Sequence, residues 1–337
     1  MIAIGVVVRP AGPQDLEALH ALALTAGLGM TNLPPCRERL TALLAASAAA
    51  LAGVRKAGSQ ILLVMEAAGE VVGTGCIFPS VGGDWPFYSY RIGRLRQTSQ
   101  ALGKVAENTI LTPVNDYDGS AEVGGLFVRP GLRGMAGGRL MARSRYLFMA
   151  EHRDWFGDRV VSELRGYQDV DGRSPFWEAV GRKFYGLEFK EADRISVGEG
   201  KQVIADLGPK YPIYLNLLPT DAALAVGQYH PDGARAHALL TEEGFRFEGC
   251  IDIFDAGPTM VADIDSLKAV RDSRVSTVTA IGPCGDGPEV LACTGAVQSF
   301  RASRGQVWWN DDEFRVSPEL AHALMLQIGD RVRHVEF

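Results

Sequence analysis

Residues 121–140 read AEVGGLFVRPGLRGMAGGRL: a β-rich run, a glycine-rich turn and the opening of a helix in immediate succession. A strand that turns this tightly into a helix gathers backbone N–H groups and a helix N-terminus at one spot, which suits an anion. Arg129, Arg133, Arg139, Arg143 and Arg145 crowd into residues 129–145, running from this stretch into the helix. A ligand carrying a diphosphate and a further phosphate would reward that crowding through charge-assisted contacts. A glycine loop followed by a solvated basic helix is the plainer alternative.

This basic stretch belongs to an acidic chain. Across 337 residues, 34 Lys and Arg against 40 Asp and Glu give a net charge of −6, which argues against a nucleic-acid binder. With 47% hydrophobic and 22% charged residues, the chain can bury a sizeable core and does not read as disordered. The longest near-apolar run, 40–54, has 15 residues, seven of them alanine. It falls short of the roughly 20 residues that cross a bilayer, and charges on both sides mark it as a solvated helix, so no membrane association is expected. The N-terminus has no basic region or cleavage site ahead of Arg9 and reads as a first strand instead of a signal peptide. Cys36, Cys76, Cys250, Cys284 and Cys293 form no C-x-x-C pair, so reduced, buried thiols in a cytoplasmic protein are expected.

Periodicity and turn signals predict a strand at 3–9, helices at 15–26 and 37–54, and a hairpin from 61–65 and 71–78 around Ala68-Gly69. A loop-rich stretch with Trp85, Phe87, Tyr88 and Tyr90 follows, then the strand 121–128, a helix at 138–152 and a strand at 160–164. Ser174-Pro175 opens a helix that runs toward a strand at 187–189. HALLTEEGFRFEG (237–249) echoes FWEAVGRKFYGLEF (176–189), a weak sign of duplication. Short β-runs with one helix at 317–327 end the chain. The division is 1–200, 201–257 and a small β-rich module 258–337, in a mixed α+β fold.

Val128, Pro130, Arg133, Gly134, Ala136 and Gly138 match the acyl-CoA loop V-x-P-x-x-R-G-x-G/A-x-G, so the segment resembles the GNAT acyltransferases. An alanine at 136 suits such a turn only where φ is negative. The resemblance implies a GNAT-like fold in which the backbone at Leu126 and Val128 binds the pantetheine and thioester. The Leu126 N–H would stabilise the oxyanion, and Arg133, Gly134 and Gly138 would hold the pyrophosphate. Glu122, on the same strand face as Leu126 by spacing, would deprotonate the amine through water; a salt-bridged strand residue is the alternative.

Longer strings extend the likeness: 26–34 (AGLGMTNLP), 86–91 (PFYSYR), 115–122 (NDYDGSAE), 143–150 (RSRYLFMA), 165–178, 209–214, 226–231 (VGQYHP) and 243–258. Together they resemble the arginine N-succinyltransferases of the AstA type. That resemblance implies transfer of a succinyl group from succinyl-CoA, as co-substrate, to the α-amine of L-arginine, with no tightly bound cofactor. It also implies a homo-oligomer or a pairing with a related subunit. Gly124-Gly125 stands where a bulkier pair is expected. An ornithine-preferring enzyme, another GNAT acetyltransferase and a non-catalytic acyl-CoA-binding subunit are the alternatives.

The six histidines show no metal spacing. His230, in the loop G-Q-Y-H-P-D-G, sits where functional side chains are displayed, and the resemblance makes it the proton donor; Asp232 is placed either to keep it charged or to cap the helix that begins at Gly233. Asp116, Asp118 and Glu122 supply acid for a guanidinium substrate, and the sequence does not decide which faces it.

Overall fold

The computed structural model describes residues 5–337 except 27–29, 31, 57, 84–85, 134–135, 193–194, 196–205 and 296. By contacts the chain forms two compact units, Met1–Val81 with Gly119–Val160 and Ala262–Phe337, and Gly82–Asp118 with Val161–Val261. Contacts, and not chain order, set this division, so each unit draws on stretches that the consecutive division 1–200, 201–257 and 258–337 keeps apart.

The first unit is built on β1 (Val7–Pro10), β2 (Ile61–Ala67), β3 (Glu70–Phe78), β6 (Ala121–Val128), β11 (Arg274–Thr277), β13 (Glu289–Cys293), β14 (Ala302–Trp309) and β16 (Arg331–Glu336). They run in the order β11-β16-β13-β14-β1-β2-β3-β6, and every pair is antiparallel. The C-terminal strands therefore share a sheet with β1, where Val7 pairs with Ser303. The pair β12 (Ala280–Ile281) and β15 (Phe314–Val316), parallel to each other, extends from β14.

Helices Leu16–Ala26 and Arg37–Leu51 bury Leu19, Leu22, Leu40 and Leu44 against Leu62, Val64, Cys76 and Phe127 on one face of this sheet. The second of these stops three residues short of the expected end, because Gly53 takes φ +99° and residues 52–54 form the exit turn. Helix Gly137–Glu151 covers the other face. Gly75 looks toward Met141 and Arg145 while its neighbour Cys76 joins the first cluster, as the alternation of a strand requires.

The second unit holds β4 (Ser89–Ser99), β5 (Lys104–Val114), β8 (Ile213–Tyr214), β9 (Arg246–Asp252) and most of β10 (Pro258–Asp263). Their antiparallel order is β10-β9-β4-β5-β8. β7 (Arg159–Glu163) begins in one unit and ends in the other. The long β4–β5 ribbon corrects the expectation of a loop after residue 81. Its outer half is exposed and polar, with Arg94, Arg96, Glu107 and Asn108 along it, so no apolar alternation marks it. Ser174 caps helix Pro175–Ala179 as expected, accepting from the Trp177 N–H at 3.2 Å. That helix ends at Val180, a second one covers Gly181–Tyr185, and Gly186 at φ +68° turns the chain. The expected strand 187–189 is absent: Phe189 opens a helical turn and packs with Trp177 and Phe254. The echoed segment, by contrast, does reach a strand, β9.

Candidate functional site

In the first unit the chemistry gathers where β3 and β6 lose register. Thr74 pairs with Phe127 and Cys76 with Gly124, so Gly125 and Leu126 together face Gly75, a β-bulge. Gly125 takes φ +58°, and a Cβ there would lie 2.8 Å from Cys76 Sγ and 3.1 Å from Asn32 Cβ. At Gly124 a Cβ would lie 2.9 Å from Asn32 Nδ2. The glycine pair is thus demanded locally: it lets Asn32 lie against the bulge, and bulkier residues there would displace it. Glu122 shares this corner, its Oε1 being 3.6 Å from the same Gly124 Cβ position. Asn32, which the sequence offered only inside the string 26–34, joins the site; the signal for it was two adjacent glycines inside a strand.

Cys76 is fully buried beside the bulge and accepts a hydrogen bond from Gln60 Nε2 at 2.8 Å. Burial pushes its thiol up to about 12, so it stays protonated and is no nucleophile at neutral pH.

β6 ends at Val128, and the chain enters a short helical turn, Pro130–Arg133, then helix Gly137–Glu151 with Gly138 in its first turn. Gly134 and the side chain of Arg133 lie outside the described residues. Ala136, at the helix N-cap, takes φ +61°, which corrects the expectation of a negative angle. The left-handed turn that glycine usually provides is imposed on an alanine, at a cost of about 1 kcal/mol. The arginine crowding also needs correction. Arg129 pairs with Glu70 at 3.1 Å, buried Arg143 donates to the Glu336 carbonyl at 2.6 Å, and buried Arg145 donates to the Gly124 carbonyl at 3.2 Å. At 143 and 145 the helical period turns the guanidinium groups inward instead of toward a ligand at the turn.

In the second unit two distant strings, 165–178 and 243–258, converge on the His230 loop. The His230 N–H donates to the Arg165 carbonyl at 2.7 Å, and the Tyr167 N–H to the Gln228 carbonyl at 2.9 Å. From the other side, the Gly227 N–H donates to the Ala256 carbonyl at 2.9 Å. Gly166 ties these together: its N–H donates to Asp255 Oδ2 at 2.7 Å. Tyr229 stacks on His237 at 4.6 Å. His230 is partly buried, with its Nδ1 accepting from the Asp232 N–H at 3.2 Å, which leaves the proton of the neutral ring on Nε2. Burial, and then the Arg165 charge, lower its pKa below the ordinary histidine value. Asp232 opposes this only weakly from 3.6 Å, its side chain 89% exposed. The resting ring is therefore neutral, contrary to the expectation that Asp232 keeps it charged.

The remaining acids near residue 116 are engaged elsewhere. Asp116 pairs with Arg91, and Asp118 accepts from the Phe87 N–H at 2.6 Å and from Asn115. Phe87 and Tyr90 are buried, Tyr90 edge-on to Phe176; Trp85 lies outside the described residues. All five cysteines are free. Among the described residues no cluster of His, Cys, Asp and Glu could hold a metal, and no helix is long and apolar enough to cross a membrane.

The family model of the arginine N-succinyltransferase beta subunit matches residues 6–269, and that of its C-terminal domain matches 272–336. The chain belongs to the AstA family. Among AstA relatives, the arginine N-succinyltransferase of Yersinia pseudotuberculosis is 38% identical over 340 residues, covering 97% of each chain. The arginine N-succinyltransferase subunit beta of Pseudomonas aeruginosa is 40% identical over 339 residues, covering 98% of this chain and 97% of that one. The solved structure of arginine/ornithine succinyltransferase subunit AI from Pseudomonas aeruginosa superposes with a TM-score of 0.89 at 35% identity, over 99% of both chains. The AstA membership covers both units and the C-terminal strands, well beyond the strand–turn–helix of 121–151.

Proposed function

We propose that this chain transfers a succinyl group from succinyl-CoA to the α-amino group of L-arginine. The observation that carries the proposal is the glycine bulge of β6, with Glu122 and Asn32 beside it, running directly into the turn and helix N-terminus of Gly137–Glu151. A bulge frees backbone that would otherwise be paired, and a helix N-terminus two turns of chain later favours a phosphate. In this reading the Leu126 N–H takes the thioester oxygen as it becomes an oxyanion, help worth about 2.7–4 kcal/mol in comparable sites. Val128, Arg133, Gly134 and Gly138 hold the pantetheine and pyrophosphate. Glu122 accepts the ammonium proton through water, and the free amine attacks the thioester carbon. The protonated Cys76 supports a direct attack with no acyl-cysteine intermediate.

When the tetrahedral adduct collapses, its nitrogen gives up its second proton to solvent, the C–S bond breaks, and the thiolate takes the Nε2 proton of His230 as Nδ1 takes one from water on the Asp232 side, so that the ring ends neutral as it began. The arrangement calls for no metal. Reduced cysteines support a cytoplasmic setting, and the subunit naming of the relatives supports an oligomer or a paired subunit.

Release of free CoA thiol by the purified chain, with succinylarginine identified by mass, tests the proposal. We expect kcat/KM at least tenfold higher for succinyl-CoA than for acetyl-CoA, about 1.4 kcal/mol, with L-arginine and L-ornithine compared as acceptors. Equal rates with both donors would favour a plain acetyltransferase, and no thiol release would favour a binding subunit.

A further inference from the structure

Among the described residues, Arg145 is a cation buried at the bulge without an acidic partner. It projects from helix Gly137–Glu151 with 3% of its surface exposed, its stem packed over Gly75 with Cδ 3.3 Å from the Gly75 Cβ position. Nη1 donates to the Gly124 carbonyl at 3.2 Å, and Nε is buried with no hydrogen-bond partner. Burial lowers its pKa, and the groups that oppose this, Tyr146 and Cys76, are not carboxylates. A buried charge left with open donors is costly in the empty protein, so the arrangement makes sense where a ligand supplies the missing anion. Its position narrows which anion. The carbonyl it holds is two residues before Leu126, on the same bulge, and Arg145 lies on the helix-covered face of β3. Glu122 and Asn32 lie beside Gly124, which pairs with Cys76 on the opposite face.

We propose that Arg145 binds the distal carboxylate of the acyl group, making it the residue that selects a dicarboxylic acyl-CoA. This rests on the acyl-transfer reading above. In a succinyl thioester the carboxylate stands three carbons beyond the thioester carbonyl carbon. One end of the acyl group then meets the Leu126 N–H, the other meets the guanidinium, and the amine approaches from the Glu122 side. The planar fork offers two parallel N–H donors to a carboxylate, and a site built for such a group rejects donors that lack it.

The test compares kcat/KM for succinyl-CoA and acetyl-CoA, with L-arginine as acceptor, in the full chain and its variants. Arg145→Met keeps the stem and removes the charge. It should cut the succinyl-CoA value at least 100-fold and the acetyl-CoA value far less, collapsing the ratio toward one. Arg145→Lys keeps a charge but loses the fork, and should lower the ratio at least tenfold while retaining some succinyl preference. Equal loss with both donors in a folded Arg145→Met protein would show a structural role and overturn the assignment. If that variant does not fold, an unchanged ratio in Arg145→Lys overturns it instead. Succinyl preference that survives the substitutions refutes the role of Arg145 alone; a parent chain that transfers neither acyl group refutes the function and this inference together.

Discussion

Replacing Gly166 by alanine would set a methyl carbon 2.3 Å from the main-chain oxygen of Asp255 and 2.7 Å from its Oδ1. Ordinary carbon–oxygen contacts are about 1 Å longer than the first of these, and a main-chain atom has no rotamer to escape into. The segments 165–167 and 252–257 must therefore part, and the Gly166 N–H loses its 2.7 Å bond to Asp255 Oδ2. Overpacking costs about 1–3 kcal/mol and a lost buried bond to a charged acceptor about 1.5–3 kcal/mol, so we expect about 3–5 kcal/mol in all. The same shift moves the Arg165 carbonyl that anchors the His230 N–H, and a displacement near 1 Å can cost about 100-fold in rate. Calorimetric unfolding gives the stability, and initial rates give kcat. Gly233→Ala is the control, since its added methyl would meet Tyr229 at 3.9 Å and should change stability by less than about 0.5 kcal/mol. A Gly166→Ala protein as stable and as active as the parent would refute the clamp and its role in placing His230.

His230→Ala should lower kcat by about 10²–10³, the low end for general-acid help because thiolate leaves readily, with little change in melting temperature; a folded variant that keeps half its kcat leaves the proton to Glu122, a tyrosine or water. Since His230 rests neutral, the pH–rate profile of the parent should show no falling limb between about pH 6.5 and 8, and one that disappears in the alanine variant would contradict that. Ala136→Gly should gain up to about 1 kcal/mol, because relief of the left-handed alanine exceeds the extra freedom of glycine in the unfolded chain; lowered stability in chemical unfolding would count against the strain. His334, buried against Phe314 with its Nε2 3.0 Å from Ser276 Oγ, is pushed down to about 4 by burial and Arg274. Its contribution is full above the unfolded value near 6.5 and disappears as pH falls toward 4, worth up to about 3 kcal/mol. The His334→Gln variant should lose that share of the acid sensitivity, and an unaltered stability slope from pH 6.5 to 4 would sink the assignment.

The elements with strong local signals were legible in the sequence: the Ala68-Gly69 hairpin, the Ser174 cap and the strand–turn–helix of 121–151 follow from apolar period, capping and turn chemistry. The β4–β5 ribbon was not, because Arg94, Arg96 and Glu107 face water and leave no apolar rhythm to read. Long-range placement was also hidden. The string 165–178 gave no hint that Gly166 is held by Asp255, and the arginine run gave none that Arg145 turns inward while Arg129 pairs with Glu70. The glycine pair at 124–125 was visible, but only its contact with Asn32 says why no side chain fits there. His230 stood out by its loop; its tautomer and its neutral state depend on Asp232 and Arg165 and needed coordinates.

The pairing of Val7 with Ser303 also bears on how the protein is made. During synthesis from the N-terminus, β1 can meet β2 within the first seventy residues, but its other neighbour leaves the ribosome only near the end of the chain. Until then β1 is a bare sheet edge of Val7 and Val8, the kind of edge that recruits other chains. Closing so large a loop is slow, since its entropy is spent before the contact returns anything. The sheet that carries the glycine bulge is therefore finished by its last strands, in a late step where misassembly competes with folding.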